Sequence, residues 1–109
     1  MSDTYKVLYQ GLLAASAGLL ATVPTAKAWI IKCIDVTNVD SSSRTFTLFV
    51  GGSGDANQIM NGSLAATGSA GASVADGKTR TLEAAKTIYG VGSVASKVAV
   101  TIYGLEIDV

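Results

Sequence analysis

The sequence contains no histidine. That absence removes a Ser/His/Asp triad, a Cys/His dyad and any His-ligated zinc site together. Cysteine occurs once, at Cys33, so no intramolecular disulfide can form and the chain is not a disulfide-stapled scaffold. A lone cysteine inside an apolar run reads as a buried structural thiol. Charge is scarce, at 15% of residues, and 8 basic residues balance 8 acidic ones to a net charge of zero. The basic residues are scattered, so there is no electrostatic footprint for nucleic acid. No apolar run reaches the roughly 20 residues of a membrane-spanning helix. Proline occurs once, at Pro24, and aromatic residues make up 6%.

What remains is apolar and small. Hydrophobic residues are 49% of the 109, and Gly contributes 12. A chain of this length forms one domain and buries roughly 65% of its unfolded surface, enough for an independent core. Low charge with abundant β-branched residues and glycine argues for a compact all-β domain rather than disorder.

Thr22 to Val50 organises the reading. The apolar run Ala28 to Asn38 is followed by the polar turn Asp40-Ser41-Ser42-Ser43 and the alternating run Arg44 to Val50, an antiparallel-pair signal. In the first run Trp29, Ile31 and Cys33 alternate against Ile30, Ile34 and Val36, so both faces are apolar. A strand buried on both sides, or a β-bulge near Lys32, would each produce this. In the second, Phe46, Leu48 and Val50 share one face and Thr45, Thr47 and Phe49 the other.

Val7 to Val23 is apolar enough to compete as a secretory signal, ending near Ala26-Lys27-Ala28. Asp3 against a single Lys6 weakens the required cationic start, Gln10-Gly11 interrupts the run, and cleavage there would discard the Pro24 turn. The favoured reading is a strand over Tyr5 to Leu13, a small-residue connection, and a strand over Leu19 to Val23. A short helix through Gly11 to Leu20 is the rival.

Downstream, Gly51 to Asn57 is a loop by composition and Ile59-Met60 a short edge segment. Ala72 to Val74 and Thr79 to Leu82 flank the turn dipeptide Asp76-Gly77 and read as a hairpin. Thr87 to Tyr89 is a short strand and Lys97 to Val109 a long one, in which Gly104 marks a bulge or a close backbone approach. About eight short strands with turns between them predict an all-β, single-domain antiparallel β-sandwich or jelly roll.

No catalytic, cofactor-binding or metal-ligating set emerges. Ala72 to Thr79 matches a permissive phosphate-loop pattern, but a Gly/Ser/Ala stretch precedes it where a buried strand is needed. The aspartates are dispersed without calcium-loop spacing. Glu83 and Glu106 have no sequence relationship that would pair them as acid and base. Core packing accounts for most aromatics, and a subset at a protein interface is the functional alternative. Tyr5, Tyr9, Trp29 and Phe49 are the candidate interface residues.

The order of segments also carries a resemblance. A tyrosine-containing N-terminal strand leads to Thr22-Val23-Pro24, and Ile30 to Asn38 is followed by a Ser-rich turn and Thr45-Phe46-Thr47-Leu48. The chain closes on Lys86-Thr87-Ile88-Tyr89 and Val98 to Glu106. This resembles small virion structural proteins of tailed bacteriophages, above all head decoration (cement) proteins. The resemblance implies a non-enzymatic protein on the capsid surface, made in the host cytoplasm. Its partners would be the major capsid protein or other virion proteins, with self-association as a dimer or trimer, and neither nucleic acid nor membrane. Asn38 would cap a turn and Gly104 permit a kink. Residues 1–21 would form an N-terminal arm and strand region that contacts partners, within a single domain of residues 1–109. A tail, collar or baseplate component is the second expectation. A carbohydrate-binding β-sandwich, with Trp29 or Tyr103 exposed, is the third and comes from another class.

Overall fold

β-Branched and aromatic residues at alternate positions make most of this chain extended, and the computed structural model describes residues 3–109. The strands are β1 (Asp3–Leu12), β2 (Gly18–Thr22), β3 (Lys27–Asn38), β4 (Arg44–Val50), β5 (Gln58–Leu64), β6 (Ser73–Asp76), β7 (Arg80–Leu82), β8 (Thr87–Gly92) and β9 (Val98–Asp108). One turn of 3₁₀-helix, Asp55–Asn57, interrupts them. The N-terminal apolar stretch is therefore two strands, β1 and β2, and the rival helix through Gly11 does not form.

Two antiparallel sheets result. Sheet A has the order β1-β9-β3, with β6 and β7 both on the far edge of β3, and sheet B has the order β2-β8-β4-β5. Because β6 and β7 lie end to end along β3, they act as one interrupted strand and each sheet is four strands wide. β1 pairs with β9, β2 with β8, β3 with β6 and β7, and β4 with β5. That is a long antiparallel ribbon wrapped into two sheets, the jelly-roll form of the expected sandwich. Between the sheets lie fully buried Leu13, Ile31, Ile34, Leu48, Ile88 and Ile102, with Val36, Val98 and Val100 beside them.

The doubly apolar β3 is explained by a bulge. Its pairing with β9 shifts between Ile31 and Cys33, leaving Lys32 out of register. Trp29 and Ile31 point inward before the bulge, and Ile34, Val36 and Asn38 point inward after it. Gly104 sits opposite, paired with Ile31, where a Cβ would lie 2.1 Å from the Ile30 carbonyl oxygen. The close backbone approach expected there is present. Gly90 serves packing in a similar way, since its Cβ would meet the Leu13 side chain at 2.8 Å.

The expected hairpin around Asp76-Gly77 is not formed. β6 and β7 run in the same direction, both antiparallel to β3, and residues 77–79 loop out between them. Asp76 accounts for this: its Oδ1 accepts the Lys78 N–H at 2.9 Å, and its Oδ2 accepts from Arg80 Nη2 at 2.9 Å. The carboxylate closes the loop locally and sends the chain onward along the same edge. Arg80 Nη2 also donates to the Ile59 carbonyl at 3.4 Å, tying this edge of sheet A to β5 of sheet B. β5 itself is longer than the Ile59-Met60 segment expected, because pairing with β4 overrides the weak strand preference of Asn61-Gly62-Ser63.

Among the described residues, Asn38 is the buried polar one. Its Nδ2 donates to the carbonyls of Ser42 at 2.8 Å and Ala65 at 2.9 Å, and its Oδ1 accepts the Asp40 N–H at 2.9 Å. One amide thus caps the β3–β4 turn, as expected, and fastens it to the connection after β5.

Candidate assembly interface

The outer face of sheet A is built by two bulges. In β1 the pairing with β9 shifts between Val7 and Tyr9. Tyr5 and Tyr9, four residues apart, would share a face on a regular strand. The bulge separates them: Tyr5 and Val7 face outward with Tyr103 and Leu105 of β9, whereas Tyr9 packs against the core. Burial raises the Tyr9 phenol above its ordinary pKa, so it stays protonated in its inward position.

Register across the sheet places Tyr5, Leu105 and Ile30 in one row, and Val7, Tyr103 and Cys33 in the next. Tyr5 is 74% exposed, Val7 46% and Tyr103 40%, while Leu105, Ile107 and Ile30 are half-buried beside them. Leu12, further along β1 on the same face, is also exposed. A sheet face of this composition, next to a strand paired on only one side, has the two features from which assembled β-proteins build contacts: apolar area and an unpaired edge. Cys33 lies half-buried on this face rather than in the core. Desolvation first, and then the Asp35 carboxylate that accepts from its Sγ at 3.4 Å, raise the thiol pKa and suppress the reactive thiolate.

The inner face of sheet A is charged beyond the core. Lys6 Nζ lies 3.3 Å from Glu106 Oε1, and Lys27 pairs with Asp108. The Trp29 indole N–H donates to Glu106 Oε2 at 2.9 Å. That bond, followed by Lys6, holds the Glu106 carboxyl below its ordinary pKa. These pairs lie at the end of sheet A where the inward-facing side chains run past the core.

The four candidate interface residues therefore part company. Tyr5 stands in the open, Tyr9 is half-buried against the core, and Trp29 and Phe49 are 5% and 6% exposed. Trp29 is committed to the core and to Glu106, and Phe49 belongs to sheet B, so the structure does not bring the four together. Val7, Tyr103 and Leu105 are the interface candidates that sequence reasoning passed over. Their signal was the alternation of Tyr103, Leu105 and Ile107 against Ile102 and Gly104, which shows a second apolar face on β9.

Among the described residues, no group of three or more Cys, Asp or Glu gathers in a way that could hold a metal ion. No helix there is long and apolar enough to cross a membrane.

No family model and no curated protein matches the sequence. Solved structures match in fold. A subunit of Bacillus endospore appendages, described as disulfide-linked pili, aligns at a TM-score of 0.56 and 13% identity, over 99% of this chain and 88% of that one. A chain of the acid-stable capsid of Helicobacter pylori bacteriophage KHP30 aligns at 0.53 and 11% identity, over 99% of this chain and 100% of that one. The coat protein of Tobacco streak virus, solved as a dimer, aligns at 0.50 and 10% identity, over 97% of this chain and 85% of that one. At such identities the likeness is one of fold alone.

Proposed function

We propose that this chain is a non-enzymatic structural subunit of a virion, and specifically a capsid decoration protein that binds and stabilises the major capsid shell. The observation that carries the reading is the outer face of sheet A, where Tyr5, Val7 and Tyr103 are exposed in adjoining rows beside the open edge of β1. Burying such a face gains roughly 25 cal/mol per Å² of apolar area, and aromatic residues at its centre supply the strongest contacts. The open edge of β1 adds main-chain hydrogen bonds if a neighbouring strand pairs with it. The N-terminal arm is thereby given a physical role, with Tyr5 in the contact and Tyr9 anchoring the strand from within.

Size supports the same reading. The phage capsid chain that shares the fold is of nearly the same length, since the two cover each other almost completely. Near-neutral charge suits a contact that is mainly apolar.

The test is sedimentation of purified protein with expanded empty tailed-phage capsids that lack their accessory protein. Saturable binding at a symmetry-related copy number supports decoration. Binding to tail assemblies with none to capsids would move the protein to the tail or baseplate.

A further inference from the structure

The opposite side of the sandwich has a different chemistry. On the outer face of sheet B, register aligns Thr45 with Ser63 and Thr47 with Asn61, and places Val91 on the other side of Thr47. Ser93 joins the Thr45 row, because its Oγ accepts the Thr45 N–H at 3.0 Å and its own N–H donates to the Thr45 carbonyl at 3.0 Å. Two depressions flank β4 here, of about 310 Å³ on the β5 side and about 160 Å³ on the β8 side. The side chains of Thr45 and Thr47 form the ridge between them. One row further along, Tyr89, Phe49 and Gln58 align across the same three strands, and Gln58 Oε1 accepts from Asn61 Nδ2 at 3.3 Å.

We propose that these two depressions, with the threonine ridge between them, form a binding site for a neutral saccharide. The ligand class follows from what the lining offers. Hydroxyls and carboxamides supply donors and acceptors in close succession, and a polyhydroxylated ligand uses both. No charged side chain lines either depression, so a phosphate, sulfate or carboxylate has no counter-ion and a metal has no anionic ligand. A wholly apolar ligand would strip water from the threonine, serine and asparagine side chains without replacing their hydrogen bonds. The neighbouring Tyr89 offers an apolar ring edge with a polar tip, the combination that suits a sugar's mixed surface. The larger depression stands at the small end of ligand sites, which fits one or two sugar units bound weakly.

The two outer faces then divide the work: an apolar face of sheet A toward an assembly partner, and an uncharged polar face of sheet B turned away from it. The saccharide site does not depend on the assembly reading, because no residue is shared between the two faces.

The experiment is a titration of isotope-labelled full-length protein with a panel of neutral and anionic oligosaccharides at millimolar concentration, followed by amide chemical shifts. A neutral member of the panel is expected to give saturable shifts confined to β4, β5 and β8. In a Thr47→Val/Asn61→Ala double variant, which removes one hydroxyl and one amide from the surface, affinity should fall about tenfold or more. A Tyr5→Ser variant, altered on the other face, should bind as the parent does. The proposal is overturned if no neutral saccharide shifts these amides, if only anionic sugars do, or if binding survives unchanged in a folded double variant.

Discussion

The Cβ that Gly104 lacks would sit 2.1 Å from the carbonyl oxygen of Ile30, inside any permitted contact. That proximity comes from the bulge at Lys32, which draws β3 against β9 and switches the strand's inward set from Trp29 and Ile31 to Ile34 and Val36. Gly104 is therefore the condition under which both halves of β3 can face the core. Gly104→Ala should destabilise by about 2–4 kcal/mol, and lower Tm by about 10 °C or more. A chemical denaturation curve within 0.5 kcal/mol of the parent would show that the bulge relaxes freely.

Asn38 makes a second, separable prediction. With two carbonyls on its Nδ2 and an amide on its Oδ1, every polar atom of the side chain is used. Asn38→Ala should cost about 2–4 kcal/mol through the unpaired Asp40 N–H and the two orphaned carbonyls. Asn38→Asp should cost more, because a carboxylate would face the Ser42 and Ala65 oxygens with no hydrogen to offer. Equal stability of the two variants would contradict this account.

These two residues also show how far the sequence was legible. The bulge at Lys32 could be read because β3 carried apolar residues at both parities, and Gly104 stood in a strand rich in β-branched residues. The bulge in β1 could not. Tyr5 and Tyr9 keep an even spacing, and nothing local reports the shift between Val7 and Tyr9 that sends one outward and the other in. Asp76-Gly77 misled for a chemical reason: the Asp76 carboxylate, held by the Lys78 N–H and Arg80, closes a short loop within one edge instead of reversing the chain. The two depressions on sheet B join β4, β5 and β8, and pairing between strands so far apart in the chain has no local sequence signature.

Backbone strain supports a stabilising prediction. Ala85 has φ of 70° in the turn closed by the Lys86 N–H and the Glu83 carbonyl. A non-glycine residue pays roughly 1–2 kcal/mol to occupy that region, while glycine adds back some unfolded-state entropy. Ala85→Gly should therefore raise stability by about 0.5–1 kcal/mol. Ser16→Gly, at an exposed position outside any such strain, should instead lose about 0.5–1 kcal/mol and so reports the unfolded-state cost alone in the same denaturation series.

The pH dependence follows from three carboxyls held below their ordinary pKa. Asp76 is lowered first by the Lys78 amide and then by Arg80, Asp40 first by Arg44 and then by the Ser41 amide, and Glu106 first by Trp29 and then by Lys6. Each binds its proton more weakly folded than unfolded, so its contribution is present above the ordinary value near pH 4 and is lost as pH falls through the folded value. Lys27 is shifted the other way, raised first by its hydrogen bond to Asp108. Its contribution is present below the ordinary lysine pKa of about 10.4 and fades as pH rises through the folded value. Denaturation midpoints should be level from about pH 5 to 10 and fall below about pH 4. Asp76→Asn should flatten part of the acid limb, and a midpoint that rises on acidification from pH 6 to 3 would contradict the assignment.

The central claim is that the outer face of sheet A holds the protein to a shell. Purified parent and a Tyr5→Ser/Tyr103→Ser variant, matched in Tm, should be mixed with expanded empty tailed-phage capsids and sedimented, and the bound copies counted. The account predicts saturable, symmetry-related binding by the parent and a loss of about 2 kcal/mol or more, near thirtyfold in affinity, by the variant. Equal binding by the two proteins would show that this face does not make the contact, and absence of binding by the parent would remove the decoration role.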